Sequence, residues 1–146
     1  MKAIQLVAQG KPGRFELNQV PDPAPGSGEV VLKIECCGLN HLDLWVEEGG
    51  LPVPIKLPRI PGGEIAGRIA ELGSNVSGWN VGDSVALQSN IFCGECEYCR
   101  RGDESLCLRG ELLGVHRDGG FAEKIAVPTR GLMRLPPGVD FVPLRR

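Results

Sequence analysis

The chain has 146 residues, with 16 Lys and Arg against 18 Asp and Glu, a formal charge of −2. A chain of that size fits one domain burying about two-thirds of its unfolded surface, and its near-neutral balance excludes the concentrated basic patch of a nucleic-acid or membrane-surface binder. Hydrophobic residues at 42% supply a core, while 21 Gly and 12 Pro interrupt the chain too often for long helices.

Taken in chain order, residues 2–9 and 15–20 read as short strands separated by the turn Gly10-Lys11-Pro12-Gly13. Pro21 to Gly28 is a rigid loop. From Glu29 to Cys37 the pattern alternates, with Val30, Leu32, Ile34 and Cys36 on one face and Val31, Lys33 and Glu35 outward. The clearest helix runs over residues 42–48, capped by Asn40 with Asp43 three positions on and stopped by Gly49-Gly50. Residues 51–61 carry four prolines and form an extended loop. Strands follow at 65–72 and 84–87, with a turn at Val81-Gly82-Asp83 between them. Residues 100–105 form a short helix or loop, and late strands occupy 120–127 and 132–135. Short strands at hairpin spacing make the fold class mainly β, a barrel or sandwich with one or two short helices.

The start, Met1 to Val7, lacks the apolar stretch of a secretory signal, and no run approaches the ~18 apolar residues of a membrane span. A cytoplasmic chain with no membrane partner is expected. In that compartment clustered thiols hold metal more often than disulfides. Of the six cysteines, Cys93, Cys96, Cys99 and Cys107 fall within fifteen residues as C-x2-C-x2-C-x7-C. Four thiolates on a folded-back loop suit tetrahedral Zn²⁺ with bonds of about 2.3 Å, and a four-cysteine site is closed, so it stabilises structure without catalysing. Gly94 and Gly102 let the backbone turn, and Arg100 and Arg101 stand near enough in sequence to offset the site's negative charge. The ferredoxin run for an iron–sulfur cluster places its fourth Cys three residues on and before Pro, which this chain does not match. Two disulfides remain the alternative under oxidising conditions.

The sequence resembles the N-terminal, GroES-like domain of the medium-chain dehydrogenase/reductase superfamily, the zinc-type alcohol dehydrogenases and quinone oxidoreductases. The matching stretches, in family order, are Gly38-Leu39-Asn40-His41-Leu42-Asp43, Pro61-Gly62-Gly63-Glu64-Ile65-Ala66-Gly67, Val81-Gly82-Asp83-Ser84-Val85, the cysteine run, and Asp118-Gly119-Gly120-Phe121-Ala122-Glu123. The resemblance implies one GroES-like β-barrel domain over residues 1–146, with a structural-zinc lobe projecting at about 90–110. It also implies a following Rossmann domain that binds NAD(P), with activity in the cleft between the two. No G-x-G-x-x-G occurs in these residues, so NAD(P) binding is expected only where that further domain is present. Residues 141–146 do not read like the helix that continues the family pattern.

Within the family, a catalytic zinc is held by a Cys in G-x-C-x-[ST]-D and a His in G-H-E. Here Asn40 stands at the Cys place, Gly63 at the His place and Leu42 at the hydroxyl place of the proton relay, leaving Glu64. One carboxylate does not make the three-ligand site that activates water or an alcohol. Cys36 and Cys37 alternate to opposite faces of their strand and do not replace the missing ligands. The G-x-N-x-x-D pattern resembles the zinc-free quinone oxidoreductases, which reduce quinones or activated alkenes with NADPH. On that resemblance the catalytic candidates are Asn40, Asp43 and Glu64, with His41 near the dinucleotide pyrophosphate. The expected protein is the substrate-side domain of an NAD(P)H-dependent, zinc-containing oxidoreductase taking a small carbonyl, quinone or alkene, and inactive without its cofactor domain. The alternative is a zinc-stabilised GroES-like binding or assembly module without enzymatic activity, whose uncovered apolar surface drives self-association into a homo-oligomer. His116 lies in a family turn, and Trp45 and Trp79 are expected to pack rather than stack.

Overall fold

The computed structural model describes residues 1–139 and 141. Its elements are β1 (Lys2–Ala8), β2 (Arg14–Gln19), β3 (Glu29–Gly38), α1 (His41–Glu48), β4 (Glu64–Leu72), β5 (Ser84–Leu87), β6 (Asn90–Ile91), α2 (Glu97–Arg101), β7 (Glu111–Leu112), β8 (Lys124–Pro128) and β9 (Leu132–Arg134). The central sheet has the order β8-β3-β4-β5-β9, all pairs antiparallel. β8 and β9 occupy opposite edges yet are joined only by a 3-10 turn, Thr129–Gly131. In a flat sheet four strand spacings would separate those edges by about 19 Å. The four steps from Pro128 to Leu132 reach at most about 14 Å. The sheet therefore curls, which is the barrel that the sequence led us to expect.

Inside it Val30, Leu32, Ile65, Ile69, Val85, Leu87, Ile125 and Val127 form the main core. β1 pairs with β2, and through Ile4 N–H to Phe121 O (2.8 Å) it joins the chain entering β8. A second cluster of Leu6, Val46 and Val115 seats α1 against this edge, with Leu42, Leu51, Ile55 and Leu57 around it.

The alternation along β3 needs correcting. Val31 is fully buried, and register shifts interrupt the β3–β4 pairing between Val31 and Leu32 and again between Ile34 and Cys36. At the first shift the extra residue, Ala70, lies on β4 and leaves the faces of β3 unchanged; at the second it is Glu35 on β3, which swaps the faces of everything beyond it. Val30, Leu32 and Ile34 thus share the main core with Cys37, while Cys36 packs with Ala66 and Phe141. The two cysteines do face opposite ways, as alternation requires. The late strand read at 120–127 forms only from Lys124, because Gly119, Gly120 and Phe121 give their N–H groups to the carbonyls of Ile60, Gly62 and Pro61. Of residues 140–146, only Phe141 is described, so the reading of that stretch lies largely outside the described residues.

Candidate functional site

Three of the motif stretches converge at one end of the barrel. Asn40 caps α1: its Oδ1 accepts from Leu42 N–H (3.0 Å), and Asp43 Oδ2 accepts from the Asn40 N–H (2.9 Å), completing a reciprocal capping box. Gly49, at φ 76°, ends the helix in the left-handed conformation. The other Asp43 oxygen accepts from Gly62 N–H (3.1 Å), so the carboxylate pins the Pro61-Gly62-Gly63 loop to the helix. Both of its oxygens are thereby engaged with backbone, which makes Asp43 a positioning group. Gly62 sits at φ 97°, and a Cβ there would lie 2.7 Å from the Phe121 ring, so only glycine fits.

Asn40 Nδ2 donates to Glu64 Oε1 at 2.5 Å, across 24 residues of sequence. The orientation of this amide is set chemically, since its oxygen faces an N–H and its nitrogen a carboxylate. One Nδ2 hydrogen is committed to Glu64, and among the described residues no acceptor takes the second. Glu64 pairs across the sheet with Gly38, whose missing side chain leaves room: a Cβ would stand 2.7 Å from Glu64 Oε2. A cleft of about 240 Å³ opens beside this carboxylate, walled by Cys36, Gly38, Gly63, Ala86, Leu87 and Ser89. Ser89 was not singled out in the sequence, where a lone serine ahead of a cysteine run carries no signal. His41 is exposed at the start of α1, its ring edge-on to Trp45 at 5.0 Å and 76°. Trp45 is 47% exposed, contrary to the packing role expected of it, because Leu42 and Val46 take the inward face of the helix. Trp79 does pack, against the core and beneath the Arg134 guanidinium at 4.6 Å. His116 Nδ1 accepts from Leu112 N–H (3.0 Å) and so closes its own turn.

A catalytic metal does not fit here. The Asn40 oxygen is already an acceptor in the helix cap, Gly63 has no donor atom, and Glu64 alone remains of the motif positions. Cys37 offers no remedy. Burial first, then the nearby Asp43 carboxylate, raises its thiol to about 12. It should therefore alkylate with iodoacetamide at pH 8 at least tenfold slower than a free thiol of pKa about 8.5. The same shift carries a sign for stability: the unfolded thiol ionises first, so stability should fall as pH rises above about 9 toward 12. Mass-mapped alkylation rates and a pH series of thermal unfolding check both.

The second centre is the lobe between β6 and β7, which pair as Asn90↔Leu112 and Ile91↔Glu111 to form its root. Neither short strand was visible in the sequence, two residues being too few to show a period. From Phe92 to Gly110 no side chain joins the apolar core. Instead the sulfurs of Cys93, Cys96, Cys99 and Cys107 lie within 4.8 Å of one another. The separations are 3.9 Å for Cys93–Cys99, 3.5 Å for Cys96–Cys99 and 4.0 Å for Cys96–Cys107. A tetrahedron with 2.3 Å bonds has edges of about 3.8 Å. The four residues fit a zinc ion.

Backbone N–H groups surround the sulfurs: Cys93 N–H and Arg109 N–H reach Cys107 Sγ at 3.3 and 3.4 Å, and Cys96 N–H reaches Cys93 Sγ at 3.4 Å. Such donors favour thiolate. The Glu95 amide, followed by that of Cys96, lowers the Cys93 thiol to about 6, and the Cys99 and Leu108 amides lower Cys96. Desolvation pushes Cys99 the other way, to about 12. The cation beside the sulfurs is Arg109, which faces Cys93 and pairs with Glu95. Arg101, expected in that role, turns to Asp103 and the Tyr98 ring.

Comparison with known proteins agrees with this architecture. The family model described as "Alcohol dehydrogenase GroES-like domain" matches residues 26–137. The chain is 38% identical over 143 residues to a sorbitol dehydrogenase of Halalkalibacterium halodurans, covering 96% of this chain and 40% of that protein. It is 40% identical over 135 residues to an NAD-dependent alcohol dehydrogenase of Sulfurisphaera tokodaii, covering 88% and 38%. Among solved structures, an alcohol dehydrogenase from Aeropyrum pernix superposes with a TM-score of 0.89 at 33% identity, over 99% of this chain and 42% of that one. A cobalt- and zinc-bound alcohol dehydrogenase from Pyrobaculum aerophilum gives 0.82 at 30%, over 96% and 42%. The chain spans about 40% of the length of the curated relatives it matches. With the barrel and a four-cysteine lobe that could hold a structural zinc both in place, the chain belongs to the alcohol dehydrogenase GroES-like family, as the N-terminal barrel domain of a medium-chain dehydrogenase/reductase.

Proposed function

We propose that this domain is the substrate side of an NAD(P)H-dependent reductase for small quinones, activated alkenes or carbonyls, working without a catalytic zinc. The observation that carries the reading is the Asn40–Glu64 hydrogen bond at 2.5 Å. It joins the Asn40 amide to the carboxylate that lines the cleft, where an alcohol dehydrogenase of this family would need a metal ligand set. Hydride transfer to a carbonyl or enone develops negative charge on oxygen, and a fixed N–H donor stabilises that charge. The second Nδ2 hydrogen of Asn40 is the donor, held in place by the cap and by Glu64. The Glu64 carboxylate lies alongside and, by accepting from Asn40 Nδ2, fixes the direction of the amide. In this reading His41, exposed beside Asn40, meets a dinucleotide phosphate supplied by a cofactor-binding domain. One structural zinc on Cys93, Cys96, Cys99 and Cys107 holds the lobe and takes no part in the chemistry.

Two-dimensional amide NMR of the chain tests this. A fully substituted benzoquinone, which resists thiol addition, should shift the amides of Gly63, Glu64 and Ser89. Asn40→Asp keeps the cap acceptor but loses the donor, and should weaken that binding about tenfold, the scale of one hydrogen bond. Titrated with NADPH, these 146 residues should show no micromolar binding. Cleft shifts with primary alcohols but not with the quinone would overturn the assignment in favour of alcohol oxidation.

A further inference from the structure

The segment from Leu87 at the end of β5, through β6, to the first cysteine begins as a wall of the cleft. Leu87 and Ser89 line the cleft, Ile91 is buried in the main core, and Cys93 is the first sulfur of the lobe. The Ser89 carbonyl accepts from Leu113 N–H at 3.0 Å, and the Leu113 carbonyl packs where a Cβ on Gly63 would meet it at 3.5 Å. The root of the lobe and the floor of the cleft are therefore one piece of backbone.

Arg130 reaches this piece from the barrel side. It lies in the 3-10 turn between β8 and β9, and its Nη1 donates to the carbonyls of Phe92 (3.4 Å) and Cys93. Among the described residues no carboxylate pairs with it. Gly94, at φ 76°, leaves the space: a Cβ there would stand 2.3 Å from Arg130 Nη1. The neighbouring Gly131 carbonyl accepts from Gln88 N–H at 2.9 Å, between the two cleft-lining residues. The same turn thus grips the segment at its cleft end and at its cysteine end.

We propose that Arg130 is a positioning residue tying the four-sulfur lobe to the cleft wall, so that metal occupancy and cleft shape are linked through residues 87–93. The linkage is mechanical and holds whatever substrate the cleft takes. A metal fixes Cys93 relative to the rest of the lobe, and the guanidinium fixes the Cys93 and Phe92 carbonyls relative to the barrel. With either restraint missing, the Ser89–Leu113 hydrogen bond opens more often.

The test uses the zinc-loaded full chain and two variants, Arg130→Ala and Arg130→Lys. Zinc release to a chromogenic chelator and amide hydrogen exchange are measured together. Arg130→Ala should keep one zinc per chain, release it about tenfold faster, and lose about tenfold protection at Leu113 N–H. Protection at Ile69 N–H, bonded to Asp83 O in the barrel, should be unchanged. Arg130→Lys, which retains a cationic donor, should recover most of both effects. Unchanged release and unchanged Leu113 protection in Arg130→Ala would overturn the proposal. So would equal loss at Leu113 and Ile69, because that reports global destabilisation.

Discussion

Cys107→Ser should empty the four-sulfur site and collapse the lobe. Elemental mass spectrometry of the purified chain is expected to fall from about one zinc to near none, and the melting temperature to drop by more than about 10 °C. The size follows from composition. With no side chain between Phe92 and Gly110 in the apolar core, the lobe has little hydrophobic burial to hold it once the metal is gone. Small zinc modules draw about 10–16 kcal/mol of apparent binding free energy from the ion. Each kcal/mol lost shifts the melting point of a domain this size by about 2–4 °C. Cys107 is the informative ligand because its sulfur also accepts the Cys93 and Arg109 N–H groups, stapling the two halves of the lobe together. A Cys107→Ser chain that keeps its zinc and its melting point would mean the four sulfurs are not a metal site. Iron in place of zinc would reassign the metal.

The second large effect runs the other way. Asn40→Cys with Gly63→His should raise the metal content from about one to about two per chain, since with Glu64 they would supply three donors at the cleft. Gly63 can accept a side chain: a Cβ would meet its neighbours at 3.5 Å, ordinary contact, and its backbone is outside the left-handed region. The helix loses its asparagine cap, at about 1 kcal/mol, which a zinc-braced barrel tolerates. Cobalt loading gives the readout, with a new visible band from a thiolate-bound ion in the double variant and none from the single Asn40→Cys change. A second ion in the unsubstituted chain would refute the metal-free reading of the cleft.

Much of this site was legible because its parts are local. The helix cap needs residues three apart, and the zinc knuckle needs cysteines within fifteen, so the chain itself carries the spacing. The Asn40–Glu64 bond joins residues 24 apart through the β3–β4 pairing, so only the register reveals it. Ser89 and Arg130 escaped for the same reason, their partners being backbone atoms brought near by barrel closure. Alternation failed at Val31, which is buried although it faces away from the main core, at Cys36, where a bulge reverses the faces, and at the lobe root, where β6 and β7 are too short to show a pattern. Arg100 and Arg101 were expected beside the sulfurs and Arg109 stands there instead, because adjacency in sequence does not decide which way a five-residue helix faces.

The three-residue connection across the rim also governs how the molecule is made. β3 finds its outer neighbour only when residues 124–128 arrive, about a hundred positions downstream of Glu29. Pairings of such long sequence separation form slowly. During synthesis the nascent polypeptide carries a bare, apolar strand margin until residues 124–128 leave the ribosome. Any product ending before Lys124 would keep that margin open as a template for intermolecular pairing.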